Sequence, residues 1–276
     1  MIKSPLNYTG GKFKLLPQIL PLFPKEIDTF IDLFGGGFNV GINVPAKTIV
    51  YNEIMPDICN IIKGIRESED TIMKEFQSII DIYGLNKINR EGYLKLREEW
   101  NNSLDRDWEK LYMLICHSFN NNIRFNKKGG FNVPFGKDRS EFNPTLKQKF
   151  LDFREKIKNI NVVVSNNTFT EIQINPDYFY YSDSPYYIST ANYNENNGWT
   201  EQDDINLMEY LDKVNAAGAK FAMSNVLEHK GQKNERLIEW AKKYKVHYIN
   251  SNYKHCLFLI LQILFHIYLV KLFRYF

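Results

Sequence analysis

The sequence has few cysteines and no pattern that would hold a structural metal. Its three cysteines, Cys59, Cys116 and Cys256, lie far apart and lack metal-ligand spacing. An odd number of widely separated cysteines is typical of unpaired thiols in a reducing compartment, and it excludes a disulfide-stabilised secreted scaffold. We therefore expect a protein without zinc or another bound metal.

The first residues also lack the features of a targeting signal. Residues 1–16 contain no continuous apolar segment and no small-residue cleavage site, so a signal peptide is not expected. This favours a cytoplasmic protein. Residues 257–270 are apolar but interrupted by Gln262 and His266, and they fall short of the about 20 predominantly apolar residues of a membrane span. A membrane protein is the minor alternative, and it rests on this tail alone.

An excess of charge of one sign is absent as well. The 35 basic and 32 acidic side chains give a net charge of +3, so any argument for a polyanionic partner must come from local clusters. With 44% hydrophobic and 24% charged residues, the composition is that of a folded globular protein. The 276 residues are enough for one domain with a sizeable insertion.

Short apolar segments predict a doubly wound α/β sheet. Residues 28–33 and 48–52 are β-branched and apolar, and they predict two buried parallel strands joined by a glycine-rich turn and a weak helix. Further strand-like segments follow a long helical region, at 159–165, 177–182, 219–225 and 245–251. Strands that alternate with helices in this way are typical of an open, mostly parallel sheet.

The helical region between the two groups of strands predicts an insertion. Residues 56–118 are charged and have helical periodicity, with no alternation typical of strands. Residues 120–144 are rich in Asn, Gly and Pro and predict a loop that contains a hairpin. We therefore expect an inserted, mainly helical domain at 56–154, flanked by a sheet domain made of residues 1–55 and 155–276.

A glycine cluster follows the first predicted strand, and an acid ends the second. Gly35, Gly36 and Gly37 would let the backbone approach a ligand closely, and Glu53 is placed to accept hydrogen bonds from ribose hydroxyls. The spacing is not G-x-G-x-x-G, because Phe38 follows the third glycine. A nucleoside-bearing cofactor is favoured, while a tight turn without a ligand remains open.

The segment YTGGKFK at residues 8–14 lacks the spacing of a phosphate-binding P-loop. Phe13 follows Lys12 where a P-loop has Ser or Thr, and no strand precedes the segment. These residues alone therefore argue against NTP hydrolysis, and a solvated turn is the preferred interpretation of Lys12.

The stretch Asp183, Ser184, Pro185 and Tyr186 follows the predicted strand 177–182, at the edge where open α/β sheets bind ligands. A carboxylate and a backbone carbonyl that accept the N–H bonds of an exocyclic amine would expose its lone pair and stabilise the developing positive charge. An aromatic ring beside them would stack on a base taken out of a duplex. A proline turn among core aromatics is the commoner meaning of such a stretch alone.

Residues 120–144 have a local basic excess interleaved with aromatic and asparagine side chains. Arginine and asparagine read base edges, and lysine neutralises phosphates. A solvated basic loop is the open alternative. The charged residues concerned are Arg124, Lys127, Lys128, Lys137 and Arg139, against Asp138 and Glu141.

In chain order these segments resemble the Dam-type, or D12-class, N6-adenine DNA methyltransferases. The resemblance covers residues 3–254 and rests on YTGGK, FIDLFGGGFNVGINV, YNEI, NNNIRFNKKGGFNVPFG, DSPY and MSNVLEHKG. It implies a Rossmann-like, S-adenosylmethionine-dependent methyltransferase sheet with an inserted, mainly helical target-recognition domain. It further implies methyl transfer to N6 of a flipped adenine in duplex DNA, commonly within GATC, without metal and in a restriction-modification setting.

The resemblance also assigns roles to residues. Asp183 would hold the adenine amine together with the main-chain carbonyl of Ser184, and Pro185 and Tyr186 would complete the catalytic loop. The residues implied for the cofactor are Tyr8, Gly10, Lys12, Asp32, Phe34, Gly35, Gly37, Glu53 and Asp183. Those implied for DNA are Phe119, Asn120, Asn122, Arg124, Asn126, Pro134, Lys137 and Arg139.

The sequence departs from the family pattern at three places. Ser184 replaces the first proline of D-P-P-Y, and Asn122 stands where an apolar residue usually faces a thymine methyl group. Residues 255–276 form an apolar tail where a polar turn and a last strand are expected, so we expect the final hairpin to be missing or wrongly filled. The alternatives are a catalytically impaired relic that binds DNA or cofactor, and methylation of another amine, in RNA adenine or a glutamine side chain.

Restoring the proline tests the first departure. Because proline fixes φ of the residue whose carbonyl should accept the amine hydrogen, we expect Ser184→Pro to raise kcat for methyl transfer. Steady-state rates of the two proteins at saturating DNA and saturating S-adenosylmethionine measure this. An unchanged or lower kcat would show that serine is not a handicap.

Overall fold

The computed structural model describes residues 1–188, 198–229, 231–250 and 257–262. Its centre is a seven-stranded sheet in the spatial order β3-β2-β1-β4-β5-β9-β8. These strands are β1 (Ile27–Asp32), β2 (Ala46–Asn52), β3 (Val162–Ser165), β4 (Tyr178–Ser182), β5 (Lys220–Val226), β8 (Lys245–Ile249) and β9 (Leu257–Gln262). Two short strands, β6 (Glu228–His229) and β7 (Gln232–Lys233), form a separate ribbon. The mixed, mostly parallel sheet confirms the predicted Rossmann-like fold class.

The chain order of the strands reverses between β1 and β4. Strands β2 and β3 lie on one side of β1, and β4 and β5 lie on the other, with all four of these neighbouring pairs parallel. Asp32 of β1 is paired with Tyr181 of β4, so both strands end at the same level. A ligand crevice is expected at such a switch point, outside the carboxyl ends of the strands.

The helices are α1 (Leu16–Ile19), α2 (Pro56–Glu67), α3 (Ile72–Tyr83), α4 (Arg90–Asn102), α5 (Trp108–His117), α6 (Pro144–Lys158), α7 (Glu201–Ala216) and α8 (Glu235–Ala241). Local sequence explains several of their ends. The side chains of Asn89 and Asn143 cap α4 and α6, and Thr200 with Asp203 forms a capping box on α7. Helix α3 ends at Gly84, which has a left-handed φ of 60°.

The weak helix expected between β1 and β2 is not formed. The structure has only a short 3-10 turn there, Gly41–Asn43. Proline disfavours helical backbone in the residue before it, and Val44, which precedes Pro45, is extended. The connection therefore stays compact and keeps the glycine cluster close to the end of β1.

The sheet has two hydrophobic layers. On one face, α7 and α8 cover Ile31, Tyr180 and Phe221. The second buried cluster is larger and continues from the sheet into α2–α6, with Phe76, Trp100 and Phe150 fully buried. The predicted helical region is therefore packed onto the sheet as one hydrophobic core.

The expectation about the tail is wrong for Leu257–Gln262. This segment forms β9, which pairs antiparallel with both β5 and β8 and so fills the sheet between them. Leu259, Ile260 and Leu261 are buried, which explains why the segment is apolar up to Leu261. The rest of the tail, 263–276, lies outside the described residues. Among the helices that the structure describes, none is long and apolar enough to cross a membrane.

The structural importance of β9 is tested by truncating one buried side chain. Leu259 is fully buried in the core, so Leu259→Ala should lower the free energy of unfolding by about 2–5 kcal/mol. Leu104→Ala, at a fully exposed leucine, is the matched control and should stay within about 0.5 kcal/mol of wild type. Urea denaturation measures both, and equal stability of the two variants would contradict a core position for β9.

Candidate active site

A pocket lies at the switch point, beyond the carboxyl ends of β1, β2 and β4. It brings together every residue that the resemblance implied for the cofactor and the catalytic loop. Its lining includes Tyr8, Gly10, Lys12, Asp32, Phe34, Gly35, Gly37, Glu53, Asp183, Ser184, Pro185 and Tyr186. Thr9, Gly11, Gly36, Asn39, Val40, Ile54, Tyr181, Gly198 and Trp199 also line it.

The glycine cluster is held against the ends of β1 and β2 by its neighbours. Gly36 has a φ of 48°, which favours glycine, and its carbonyl accepts a 2.7 Å hydrogen bond from the Tyr51 hydroxyl. A Cβ atom on Gly35 would lie 2.3 Å from the Tyr51 ring. The absence of side chains is therefore required here, and it leaves backbone facing the pocket.

Glu53 lies at the end of β2, as the sequence predicted, and its carboxylate also accepts backbone hydrogen bonds that the sequence did not predict. One carboxylate oxygen accepts the Gly36 N–H at 3.0 Å, and the other accepts the Met55 N–H at 3.0 Å. Burial raises the pKa of Glu53, and these backbone hydrogen bonds oppose the rise. The acid thus links the glycine turn to the end of β2.

Asp32 is a buried carboxyl at the end of β1. It accepts a 3.2 Å hydrogen bond from the Gly41 N–H. Burial, with the nearby negative charge of Asp183, raises the pKa of Asp32 from 3.8 to about 8. The pocket therefore has a carboxyl that changes charge close to neutral pH.

Asp183 is held at both of its carboxylate oxygens. Lys12 Nζ lies 2.6 Å from Oδ2, and the Tyr186 hydroxyl donates to Oδ1 at 2.9 Å. Lys12 also donates to the Gly10 carbonyl at 2.7 Å and lies 5.2 Å from the centre of the Tyr186 ring. The interpretation of Lys12 as a solvated lysine is wrong, because the residue is only 5% exposed and is paired with Asp183.

The aromatic stretch around Asp183 begins as a buried strand and continues as a loop that lines the pocket. Phe179, Tyr180 and Tyr181 in β4 are buried, and the Tyr181 hydroxyl lies 2.7 Å from Ser224 Oγ. The chain then leaves the sheet and enters the pocket at Asp183. Ser184 is also buried, and its Oγ has no hydrogen-bond partner among the described residues.

Asn39 and Trp199 are among the pocket side chains that sequence reasoning missed. Asn39 is nearly buried, and its Oδ1 accepts the Ser4 N–H at 3.1 Å, which ties the N-terminal segment to the glycine turn. Trp199 is a further aromatic residue in the lining. Asn39 lies within the glycine-rich motif but was given no role there, whereas Trp199 lies in no recognisable local pattern and reaches the pocket only through the tertiary fold.

The loop predicted for DNA forms a hairpin-like structure. Bridges join Ser118 to Phe135 and Phe125 to Phe131, and both Phe125 and Phe131 are buried. The aromatic residues interleaved with the basic ones are thus mostly core, with Phe119 as the exposed exception.

The residues predicted for DNA divide into exposed and structural ones. Phe119, Asn120, Arg124, Pro134, Lys137 and Arg139 are exposed, and Asn122 and Asn126 are half-buried. The Asn126 side-chain oxygen accepts the N–H groups of Lys128 and Gly130, so it shapes the turn.

Two of the exposed residues have contacts that orient them. Arg139 lies over the Phe119 ring at 4.9 Å, and Arg124 donates to the side chain and backbone of Asn132. The Asn120 carbonyl accepts a 2.8 Å hydrogen bond from Asn7, next to Tyr8 of the pocket. Among the side chains that the structure describes, no group of His, Cys, Asp and Glu is arranged to hold a metal.

The model of the D12 class N6 adenine-specific DNA methyltransferase family matches residues 8–255. The chain belongs to this family. It is 44% identical over 265 residues to the type II methyltransferase M.FokI of Planomicrobium okeanokoites and 39% identical over 267 residues to the modification methylase StsI of Streptococcus sanguinis. Each match covers 92% of this chain but 40% of the relative, so the chain spans about two fifths of their length.

A more distant relative matches over the same share of both chains. The DNA adenine methylase of Vibrio cholerae is 29% identical over 216 residues, which is 76% of each chain. The matches confirm the family resemblance seen in the sequence motifs.

The raised pKa of Asp32 predicts a pH-dependent stability. A carboxyl whose pKa rises on folding destabilises the fold once it is ionised, so the cost is absent below about pH 4, grows with pH, and is complete above about pH 8. Asp32→Asn removes this cost. The variant should therefore gain stability relative to wild type as the pH rises through this range.

Urea denaturation of the ligand-free protein at about pH 5 and about pH 9 measures the difference. Asp105→Asn, at an exposed aspartate, is the control and should show no such trend. An Asp32→Asn variant whose stability relative to wild type is independent of pH would contradict the raised pKa.

Proposed function

We propose that this protein transfers a methyl group from S-adenosylmethionine to N6 of adenine in duplex DNA. The observation that carries the proposal is the position of Asp183. Its carboxylate lies in a glycine-lined pocket at the switch point, held by Lys12 and Tyr186 and followed directly by the Ser184 carbonyl. Family membership and relatives named as methyltransferases support the same reaction.

The pocket residues fit the cofactor. The cluster Gly35–Gly37 leaves backbone exposed to a ligand, and Glu53 follows β2, where an acid accepts hydrogen bonds from ribose. Tyr8, Gly10, Lys12, Asp32 and Phe34 would complete the site. When bound, S-adenosylmethionine supplies the electrophilic methyl group.

The catalytic loop would activate the amine of a flipped adenine. The lone pair of this amine is delocalised into the ring, so it is a poor nucleophile. The Asp183 carboxylate and the Ser184 carbonyl would accept its two N–H bonds, favour a pyramidal nitrogen and stabilise the positive charge that develops as the methyl group is transferred. Tyr186 would stack on the base, and Asp183 is the adjacent acceptor for the proton that the methylated amine loses.

An incoming amine must compete with donors that the protein already provides. Lys12 and Tyr186 occupy the two oxygens of Asp183, and each oxygen retains further lone-pair capacity. The pair therefore orients the carboxylate before the base arrives. Lys12 acts as a positioning residue in this scheme.

Residues 56–154 would form the target-recognition domain, inserted into a catalytic domain of residues 1–55 and 155–276. The exposed residues of the loop would supply positive charge for phosphates, and Phe119, with Arg139 over its ring, would supply an aromatic wedge. The loop lies beside the pocket, because Asn7, the neighbour of Tyr8, donates to the Asn120 carbonyl. Asn122 and Arg124 would contribute to base reading. GATC is the first recognition site to test. A protein that methylates cellular DNA would act in the cytoplasm, and its role would be that of the modification enzyme of a restriction-modification system.

Replacing the catalytic carboxylate tests the reaction. Asp183→Asn keeps the shape of the side chain but loses the charge, so kcat should fall by about 100-fold or more. Because Asp183 pairs with Lys12 and is also among the residues implied for the cofactor, S-adenosylhomocysteine should bind more weakly, while binding of duplex DNA should be retained. Asp105→Asn is the control, because this exposed aspartate lies outside the pocket, and it should leave kcat unchanged.

The readout is transfer of labelled methyl groups to duplexes with and without GATC, followed by mapping of N6-methyladenine on a random-sequence library. Methylation of a different motif would correct the site and leave the chemistry intact. Binding of DNA and cofactor by wild type without methyl transfer would instead indicate the impaired relic. Label on RNA or on a glutamine-containing peptide, and none on DNA, would indicate another amine as acceptor.

A further inference from the structure

Trp199 lines the pocket, and the proposed reaction gives it no part. Its ring lies 5.5 Å from the Phe34 ring in an edge-on contact and 6.1 Å from the Phe169 ring. Phe34 and Phe169 are themselves 5.5 Å apart, so the three rings form one aromatic cluster. Two of its members, Phe34 and Trp199, face the pocket beside the glycine turn.

The indole is fixed from behind by a buried acid. Trp199 Nε1 donates to Asp204 Oδ1 at 2.6 Å, and Asn234 Nδ2 donates to the other oxygen at 2.7 Å. Asp204 is 2% exposed, and Asn234 in turn caps α8 by accepting the Leu237 N–H. A carboxylate taken out of water is costly unless it is hydrogen-bonded, so this network holds the ring in a defined orientation.

The hydrogen-bond network behind Trp199 lies away from the residues predicted for DNA. Asp204 lies in the first turn of α7, and the network runs from there to α8, on the face of the sheet opposite α2–α6. A rigid ring next to Phe34 and the glycine turn is placed for the ligand that those residues hold. An aromatic face contributes apolar burial against a flat base and attracts a cationic group.

We propose that Trp199 is a cofactor-contacting residue, whose indole forms a wall of the S-adenosylmethionine site, and that Asp204 is the residue that positions it. This inference rests on the proposed function. Substitution of Trp199 should therefore weaken the S-adenosyl ligand and raise KM for the cofactor, with little effect on kcat at saturating cofactor or on KM for DNA.

The test uses tryptophan fluorescence during titration with S-adenosylhomocysteine, together with calorimetric Kd values. Trp199 is the one tryptophan among the described residues that line the pocket. Addition of ligand should change the emission of wild type and of the Trp108→Phe control, and the change should disappear in Trp199→Phe. Trp108 packs among helices α3 and α6, away from the lining.

Affinity separates contact from mere packing. Trp199→Ala should raise the Kd by about tenfold, since it removes a ring contact and its burial, whereas Trp199→Phe should raise it by less than about threefold. Asp204→Asn leaves one of its two donors without an acceptor, so it should raise the Kd and shift the emission maximum in the ligand-free protein. The phenylalanine variant keeps the test valid if the alanine variant does not fold.

Three results would overturn the inference. In the first, S-adenosylhomocysteine binds to wild type by calorimetry but leaves the tryptophan emission of wild type unchanged, and Trp199→Ala has the same Kd as wild type. This result would refute the inference and leave the proposed function standing. A rise in KM for DNA in place of KM for the cofactor would assign Trp199 to the target base. No binding of S-adenosylhomocysteine by wild type would refute the proposed function and the inference together.

Discussion

The ion pair between Lys12 and Asp183 joins two segments that lie 171 residues apart in the chain. Both side chains are largely buried, so neither charge is well solvated in the absence of the other. Removing one partner of such a pair typically costs about 3–5 kcal/mol, because the remaining charge is left buried and unpaired. The ion pair therefore holds the N-terminal segment, residues 1–12, to the loop at residues 183–186, at the pocket beyond the end of β1.

The N-terminal segment also contacts other parts of the site. The N-terminal segment brings Tyr8 against the glycine turn, while Glu53 fixes this turn to β2 through the Gly36 N–H. Asn7, the neighbour of Tyr8, reaches the Asn120 carbonyl in the predicted recognition loop. One short segment thus contacts the glycine turn, the loop that carries Asp183 and the predicted recognition loop, so a small movement in it would displace all three contacts.

Much of the fold could be predicted because its signals are local. Strands β1–β5 are short apolar runs bounded by polar residues, and the residues of the pocket follow three of them directly. The tail was misjudged because an apolar run reads the same whether it is exposed or buried. Only the pairing of β9 with β5 and β8 shows that Leu259 belongs to the core.

The parts of the site that could not be predicted are long-range contacts. Lys12 follows two glycines and looks like a solvated lysine until Asp183 is placed beside it. Trp199 acquires its position from Asp204 and Asn234, whose side chains meet only after α7 and α8 have packed. Hydrogen bonds between side chains leave no periodic trace in a sequence, so such residues have to be found in the structure.

Ser184 shows how the departure from the family pattern is accommodated. A buried hydroxyl without a partner costs about 1–3 kcal/mol, and serine also lacks the fixed φ of proline. Both effects loosen the loop at the residue whose carbonyl would accept the adenine amine in the proposed reaction. The opposing constraint is the pair of hydrogen bonds to Asp183, from Lys12 on one side and Tyr186 on the other. These bonds hold the side chains of Asp183 and Tyr186 on either side of Ser184, while φ of Ser184 itself lacks the restriction that a proline ring would add.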